Sequence, residues 1–157
     1  MRIDEEVVVE VPVDTAYNQW TQFESFPMFM DGVKQVEQLS DERLHWVAEV
    51  AGETKDWNAR ITRQVPNEVI SWESEGGLTN NGTVIFKSAG DGKTEIALHM
   101  EFEPQNTKEA VGSAVGVPDR QVKGDLKRFK EFIESRGAET GAWRGEILHG
   151  DAKGKDA

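Results

Sequence analysis

VKGDLKRFKEFIESRG, residues 122–137, is the stretch that decides the fold. Its apolar residues recur at helical spacing: Val122, Leu126, Phe129 and Ile133. Charged residues fill most of the other positions, so the pattern predicts an amphipathic helix with one face turned toward a core. Gly137 is a typical end for such a helix. No other helix predicted in this chain is as long, so this element must cover any sheet that the rest of the chain forms.

Strand patterns fill most of the chain before this helix. The segment EEVVVEV, residues 5–11, alternates valine with glutamate and predicts a half-buried strand. Short turn signals rich in Gly, Asn and Asp delimit six further strands: 33–39, 44–50, 55–65, 69–74, 83–88 and 94–103. Between the first and second strands, the segments DTAYNQWTQF and MFMDG predict two short helices.

This order of elements predicts an α+β helix-grip fold, in which a curved seven-stranded antiparallel sheet wraps around the long C-terminal helix. One face of an antiparallel sheet can meet water, but the other must be covered. The length of 157 residues fits a single domain, which we place at residues 1–137. Residues 138–157 form a C-terminal tail. Because Trp143 and Ile147 gain free energy on burial, we expect the tail to pack against the body or against a neighbouring subunit and to be disordered past Leu148.

Several segments, in order, carry a family resemblance: VPVDTAYNQWTQFESFPMFMDGV, RLHWVAEV, DWNARI, VISWES and the helix followed by TGAWRGE. Together they resemble the polyketide cyclase/dehydrase-like branch of the START-related (Bet v 1-like, SRPBCC) superfamily, over residues 3–147. The resemblance implies a deep apolar cavity between the sheet and the long helix. Members of that superfamily include lipid carriers, quinone-binding proteins, aromatase/cyclases and a co-chaperone domain, so the resemblance alone does not fix a function.

Three middle strands place a large and a small residue on their predicted inner faces: Trp46 and Ala48, Trp57 and Ala59, Trp72 and Ser74. If AGET closes a short hairpin, Trp46 lies opposite Ala59 and Ala48 lies opposite Trp57. Such an alternation suits a cavity walled by indoles. Ordinary interdigitation in a filled core is the alternative interpretation.

A second group of apolar residues follows the first short helix, and we expect Phe23, Phe26, Phe29 and Met30 to form an end wall or gate of the cavity. Two alternatives stay open, because the same side chains can plug the end of the core or form an exposed patch that docks a partner. The alternation in its strand places Arg63 on the inner face. There it either binds a carboxylate or phenol of the ligand, or extends its charged end to water at the end of the strand.

The predicted ligand-binding residues are therefore Trp20, Phe23, Phe26, Phe29, Met30, Trp46, Trp57, Arg63, Trp72, Met100 and Phe129. We predict no catalytic residues, because the polar side chains expected on inner faces, such as Tyr17, Ser74 and Thr83, are poorly suited to general acid–base work. The first hypothesis is a binder or carrier of an apolar molecule, such as a lipid, a quinone or an aromatic polyketide. The alternatives are a cyclase/dehydrase-type enzyme and, second, a co-chaperone-like interaction module.

Composition excludes several other classes of function. The chain has 18 Lys and Arg against 29 Asp and Glu, a net charge of −11, which disfavours binding to nucleic acid or anionic membranes. It has no cysteine, and His45 and His99 fall on outer faces, so we expect no metal site and no cofactor. We see neither a signal peptide nor a membrane span, and we expect a cytoplasmic protein, with a homodimer as a candidate assembly.

Overall fold

The structure is a computed structural model that describes residues 2–50, 52–76, 79–103, 117–148 and 151–153. The helical elements are α1 (Val13–Trp20), a 3-10 helix (Phe23–Met28) and α2 (Val117–Arg136). The strands are β1 (Arg2–Val9), β2 (Val33–Gln38), β3 (Arg43–Val50), β4 (Glu53–Val65), β5 (Val69–Glu75), β6 (Thr79–Gly90), β7 (Lys93–Glu103), β8 (Glu146–Leu148) and β9 (Asp151–Lys153).

The main sheet has the strand order β1-β7-β6-β5-β4-β3-β2, and all of its pairs are antiparallel. Strands β2 to β7 follow one another as a meander, whereas β1 pairs with β7 at the opposite edge. The α1 helix and the 3-10 helix lie in the connection between β1 and β2. The predicted seven-stranded helix-grip fold is therefore confirmed.

The α2 helix covers the inner face of the sheet with the side chains that the sequence pattern indicates. Leu126, Phe129 and Ile133 are at most 3% exposed and belong to the main apolar core. The ring of Phe129 packs 4.9 Å from Trp20 and 5.2 Å from Phe29, measured between ring centroids. Helix and sheet thus bury their apolar faces against each other, which is the main source of stability in such a fold.

The strand β8 extends the sheet beyond the end of β3. The pairing of β3 with β4 ends at Arg60, and β8 then pairs with β4 at Arg63 and Gln64. The side chain of Ile147 in β8 is fully buried. The sequence predicts disorder past Leu148, whereas the structure pairs β9 with β8. The division into a domain at 1–137 and a tail at 138–157 stays a prediction.

The predicted register of the β3–β4 hairpin is wrong by two residues. Trp46 lies opposite Trp57 rather than Ala59, and Ala48 lies opposite Lys55. The reason is that Val50 pairs with Glu53, whereas the predicted register pairs Val50 with Lys55. The two indoles therefore face each other across the strands.

The predicted inner placement of Arg63 is also wrong. In the β4–β5 pair, Ile61 lies opposite Trp72 and Arg63 lies opposite Ser71, so β4 contains one extra residue at this point. Such a bulge reverses the alternation of inner and outer side chains. Arg63 is consequently exposed, and Gln64 takes the inner position at 1% exposure.

Candidate ligand-binding cavity

A cavity of about 220 Å³ lies between the inner face of the sheet and the N-terminal half of α2. The predicted residues that line it are Trp20, Phe23, Phe26, Met30, Trp46, Trp57, Trp72 and Met100. Phe29 and Phe129 do not line the cavity, because their rings pack against each other in the filled part of the core. Arg63 does not line it either. Whether any of these residues binds a ligand stays a prediction.

Two indoles form one wall of the cavity. Trp46 and Trp57 are direct cross-strand partners, and their rings are parallel within 3° with centroids 6.2 Å apart. Direct partners on one face of an antiparallel pair have close Cβ atoms, which holds the two rings together. Trp57 is 8% exposed and Trp46 is half-buried, so this wall is apolar.

Trp72 in β5 supplies a further part of the wall, and two contacts fix one edge of its indole. Its Nε1 atom donates a hydrogen bond to Asn80 Oδ1 at 3.2 Å. A Cβ atom at Gly82 would lie 2.6 Å from the six-membered ring of Trp72 and 2.9 Å from the carbonyl oxygen of His99. The indole therefore occupies the space that the missing side chain of Gly82 leaves free.

The aromatic cluster after α1 closes one end of the cavity. Phe26 makes ring contacts with Trp20, Phe23 and Trp46 at centroid distances of 5.4–5.7 Å. The rings of Phe23 and Phe26 are at most 5% exposed, so the cluster is an inner wall and not an exposed aromatic patch. In this segment the exposed large apolar side chain is Met28, at 65%.

The cavity meets solvent at a polar rim, which we define as Asp31, Glu49, Gln121 and Asp125. The first two of these are exposed. The backbone N–H of Asp31 donates to Asp125 Oδ1 at 3.0 Å, and Gln121 Nε2 donates to the carbonyl oxygen of Asp31. The loop after the 3-10 helix is thereby tied to α2 at the edge of the cavity.

Asp125 is the ionisable group most affected by this site. Its Oδ1 atom also accepts hydrogen bonds from Arg128 at 2.6 Å and from Gln121 at 3.3 Å. Burial raises the pKa of Asp125 to about 6, and the hydrogen bonds from Arg128 and Gln121 oppose that shift only in part. The side chain is 14% exposed, so a carboxyl group with a raised pKa lines a mostly apolar cavity.

Sequence reasoning missed Asp125, although a signal for it exists. The residue lies three positions after Val122 and four before Phe129, which puts it on the inner face of α2. The polar side chains that we expected to point inward lie elsewhere. Tyr17 is buried outside the cavity lining, where burial raises its pKa to about 12. Thr83 hydrogen-bonds Ser71 at 2.9 Å and lines a separate groove.

Histidines and acidic residues do not assemble into a metal centre in the described ranges. His45 lies 2.6 Å from Asn58 Oδ1, and His99 lies 2.7 Å from Asp4 Oδ1, both through Nδ1. Within residues 2–50, 52–76, 79–103, 117–148 and 151–153, no three His, Cys, Asp or Glu side chains could hold one metal ion. Of the helices in those ranges, none is both long and apolar enough to cross a bilayer.

Comparison with known proteins agrees with this architecture. The family model described as "Polyketide cyclase / dehydrase and lipid transport" matches residues 9–131. A 17.2 kDa uncharacterised protein of Streptomyces lincolnensis is 49% identical over 148 residues, which is 94% of this chain and 99% of that protein. The chain therefore belongs to the polyketide cyclase/dehydrase and lipid transport family, and the resemblance drawn from the sequence is confirmed.

Solved structures share the fold. A protein of Deinococcus radiodurans superposes with a TM-score of 0.70 at 26% identity, covering 87% of this chain and 98% of its own. The Zhui aromatase/cyclase of a Streptomyces species gives a TM-score of 0.76 at 18% identity, covering 91% and 99%. A START superfamily protein of Mycobacterium smegmatis gives 0.62 at 14% identity, covering 86% and 95%. At the identities of the last two, the likeness concerns the fold alone.

Proposed function

We propose that this protein binds an apolar small molecule in the cavity between the sheet and α2. The observation that carries the proposal is the cavity of about 220 Å³, which is walled by the indoles of Trp46, Trp57 and Trp72 and opens at the polar rim. A concave, mostly apolar site with a few polar groups at one end is typical of small-molecule sites. Membership of a family whose description includes lipid transport supports the same reading.

Fluorescence titration tests the proposal directly, because four of the five Trp residues line the cavity. We expect 1,4-naphthoquinone, a neutral two-ring molecule, to quench the indole emission saturably. The chain has no cysteine with which the quinone could react. Native mass spectrometry of the freshly purified protein complements the titration, because a co-purified molecule would reveal the class of the natural ligand.

A pair of matched variants separates binding in the cavity from binding elsewhere. Ala48 lines the cavity and is 7% exposed, so Ala48→Phe places a ring in the space that the ligand needs. Ala97→Phe adds the same ring between the inward residues Ile96 and Leu98, where the side chain points to the outer face. We expect saturable quenching to be lost in the first variant and kept in the second. Quenching that persists in a folded Ala48→Phe protein would place the binding site outside the cavity.

One observation favours a second candidate, a cyclase/dehydrase-type enzyme that works in the same cavity. A carboxyl group whose pKa is about 6 is suited to move protons near neutral pH, and Asp125 lines the cavity. In this reading Asp125 exchanges a proton with a poly-ketone chain held against the indoles. Turnover of a poly-ketone mimic should then disappear in Asp125→Asn while naphthoquinone binding remains. If the unchanged protein shows no turnover, the enzyme hypothesis fails and only the binding function remains.

A further inference from the structure

The charged side chains among the described residues that line the cavity all carry the same sign. Asp31, Glu49 and Asp125 are carboxylates, and no Lys or Arg among those described residues joins them. Two cations form ion pairs with carboxylates of the rim: Arg128 with Asp125 at 2.6 Å and Lys34 with Glu49 at 3.7 Å. For Asp31, no described cation lies within ion-pair distance of the carboxylate. Counted over the described residues, the entrance therefore keeps a net negative charge.

Asp125 has one oxygen in use and one available. Oδ1 accepts hydrogen bonds from the backbone of Asp31 and from the side chains of Gln121 and Arg128. In the described part of the chain, no group donates to Oδ2. A cavity-lining carboxylate with a spare acceptor favours a ligand that donates a hydrogen bond.

The volume of the cavity limits the size of that ligand. An apolar protein cavity of about 150 Å³ is large enough to take up benzene. The cavity of about 220 Å³ is roughly half as large again, which suits a molecule of one or two fused rings. A long-chain lipid would not fit it without a rearrangement of the walls.

Resting on the proposed function, we infer that the cavity selects a compact, neutral aromatic molecule with a hydroxyl group, which donates to Asp125, and that it rejects carboxylates of the same size. Like charges that face each other across a desolvated site disfavour binding. A hydroxyl group carries no charge and supplies the donor that Oδ2 lacks. This assignment replaces the sequence-based idea that Arg63 anchors an acidic ligand, because Arg63 is exposed and away from the cavity.

Three probes with the same two-ring frame test the inference by equilibrium dialysis near neutral pH: naphthalene, 2-naphthol and 2-naphthoate. We expect 2-naphthol to bind at least about fivefold more tightly than naphthalene, because hydrogen bonds to charged groups are among the stronger ones. We expect 2-naphthoate to bind at least about tenfold more weakly than 2-naphthol, with part of the loss recovered at high salt.

Two variants assign the selectivity to one residue. Asp125→Asn replaces the spare acceptor with an NH₂ donor, so the preference for 2-naphthol over 2-naphthoate should shrink or reverse. Glu131→Gln removes the same charge from an exposed position on α2 outside the cavity lining, and it should leave the preference unchanged. If Asp125→Asn fails to fold, the affinities of the three probes for the unchanged protein still test whether the cavity prefers the hydroxyl over the carboxylate.

The outcomes separate the inference from the proposed function. If none of the probes binds, the proposed cavity function fails. If naphthalene binds but 2-naphthol and 2-naphthoate bind equally well, the cavity function stands and the inferred selectivity is overturned. A preference for 2-naphthol that survives intact in a folded Asp125→Asn protein would overturn the role of Asp125.

Discussion

Shortening Ile147 to alanine tests how firmly the C-terminal segment holds the fold together. Ile147 is 0% exposed and belongs to the main core. It lies in β8, which is separated from the end of α2 at Arg136 by a segment without helix or strand. Its strand pairs with β4 only at Arg63 and Gln64, so the side chain supplies much of the attachment. Removing it leaves a cavity where the core was filled.

The expected loss in the free energy of unfolding is about 2–5 kcal/mol, the range for isoleucine-to-alanine changes at fully buried sites. For a chain of this size, each kcal/mol lowers the melting temperature by about 2–4 °C, so a fall of about 10 °C is expected. Polar contacts hold the same segment: the backbone N–H groups of Thr140 and Trp143 donate to Gln19 Oε1 and Thr21 Oγ1 at 2.8 and 3.0 Å. These contacts should survive the substitution, which keeps the effect local.

Urea unfolding followed by circular dichroism measures this loss, with Leu148→Ala as the control. Leu148 neighbours Ile147 in the same strand but is only half-buried, so its truncation should have a much smaller effect. Deleting residues 139–157 should destabilise the protein at least as much as Ile147→Ala. If Ile147→Ala lowers the stability by less than about 1 kcal/mol, the segment does not pack on the core as argued.

Three further predictions concern single residues of the cavity wall and the core. Gly82→Ala should destabilise by about 1–3 kcal/mol and change the tryptophan emission, because the new Cβ would lie 2.6 Å from the Trp72 ring; unchanged emission would contradict this placement. Phe129→Ala should cost about 3–5 kcal/mol in urea unfolding, and a loss under about 1 kcal/mol would put the ring on the surface. Because burial raises the pKa of Asp125 from 3.8 to about 6, its contribution to stability is present below pH 3.8 and lost as the pH rises through 6. Urea midpoints over that interval should therefore show a smaller pH-dependent loss in Asp125→Asn, and identical profiles would refute the shift.

The fold follows from local patterns in the sequence. Alternation such as that of Ile96 and Leu98 marks strands with one buried face, and the spacing of Leu126, Phe129 and Ile133 marks a helix with one buried face. Only one predicted helix was long enough to cover the predicted sheet. The spacing of apolar residues in a strand or a helix depends only on the geometry of that element. It can therefore be recognised without knowing which other elements pack against it.

Most of the cavity wall also follows from the sequence, because the inner parity of Trp46, Trp57 and Trp72 is a property of each strand by itself. The sequence by itself thus determined the family, the helix-grip architecture and the aromatic character of the site. It did not determine which indole faces which. That relation depends on the length of the turn after Val50, and a change of two residues alters every cross-strand pair while it preserves every face.

Only the tertiary structure decided the polar chemistry of the site. The bulge before Arg63 reversed the direction of that side chain, and a bulge depends on how two strands fit each other. The position of Asp125 in its helix marks the inner face, but its raised pKa arises from burial, which the hydrogen bonds to its carboxylate, including one from the backbone of Asp31, oppose only in part. Burial and hydrogen bonding join residues that are 94 positions apart in the chain, so periodicity within a single element cannot reveal them.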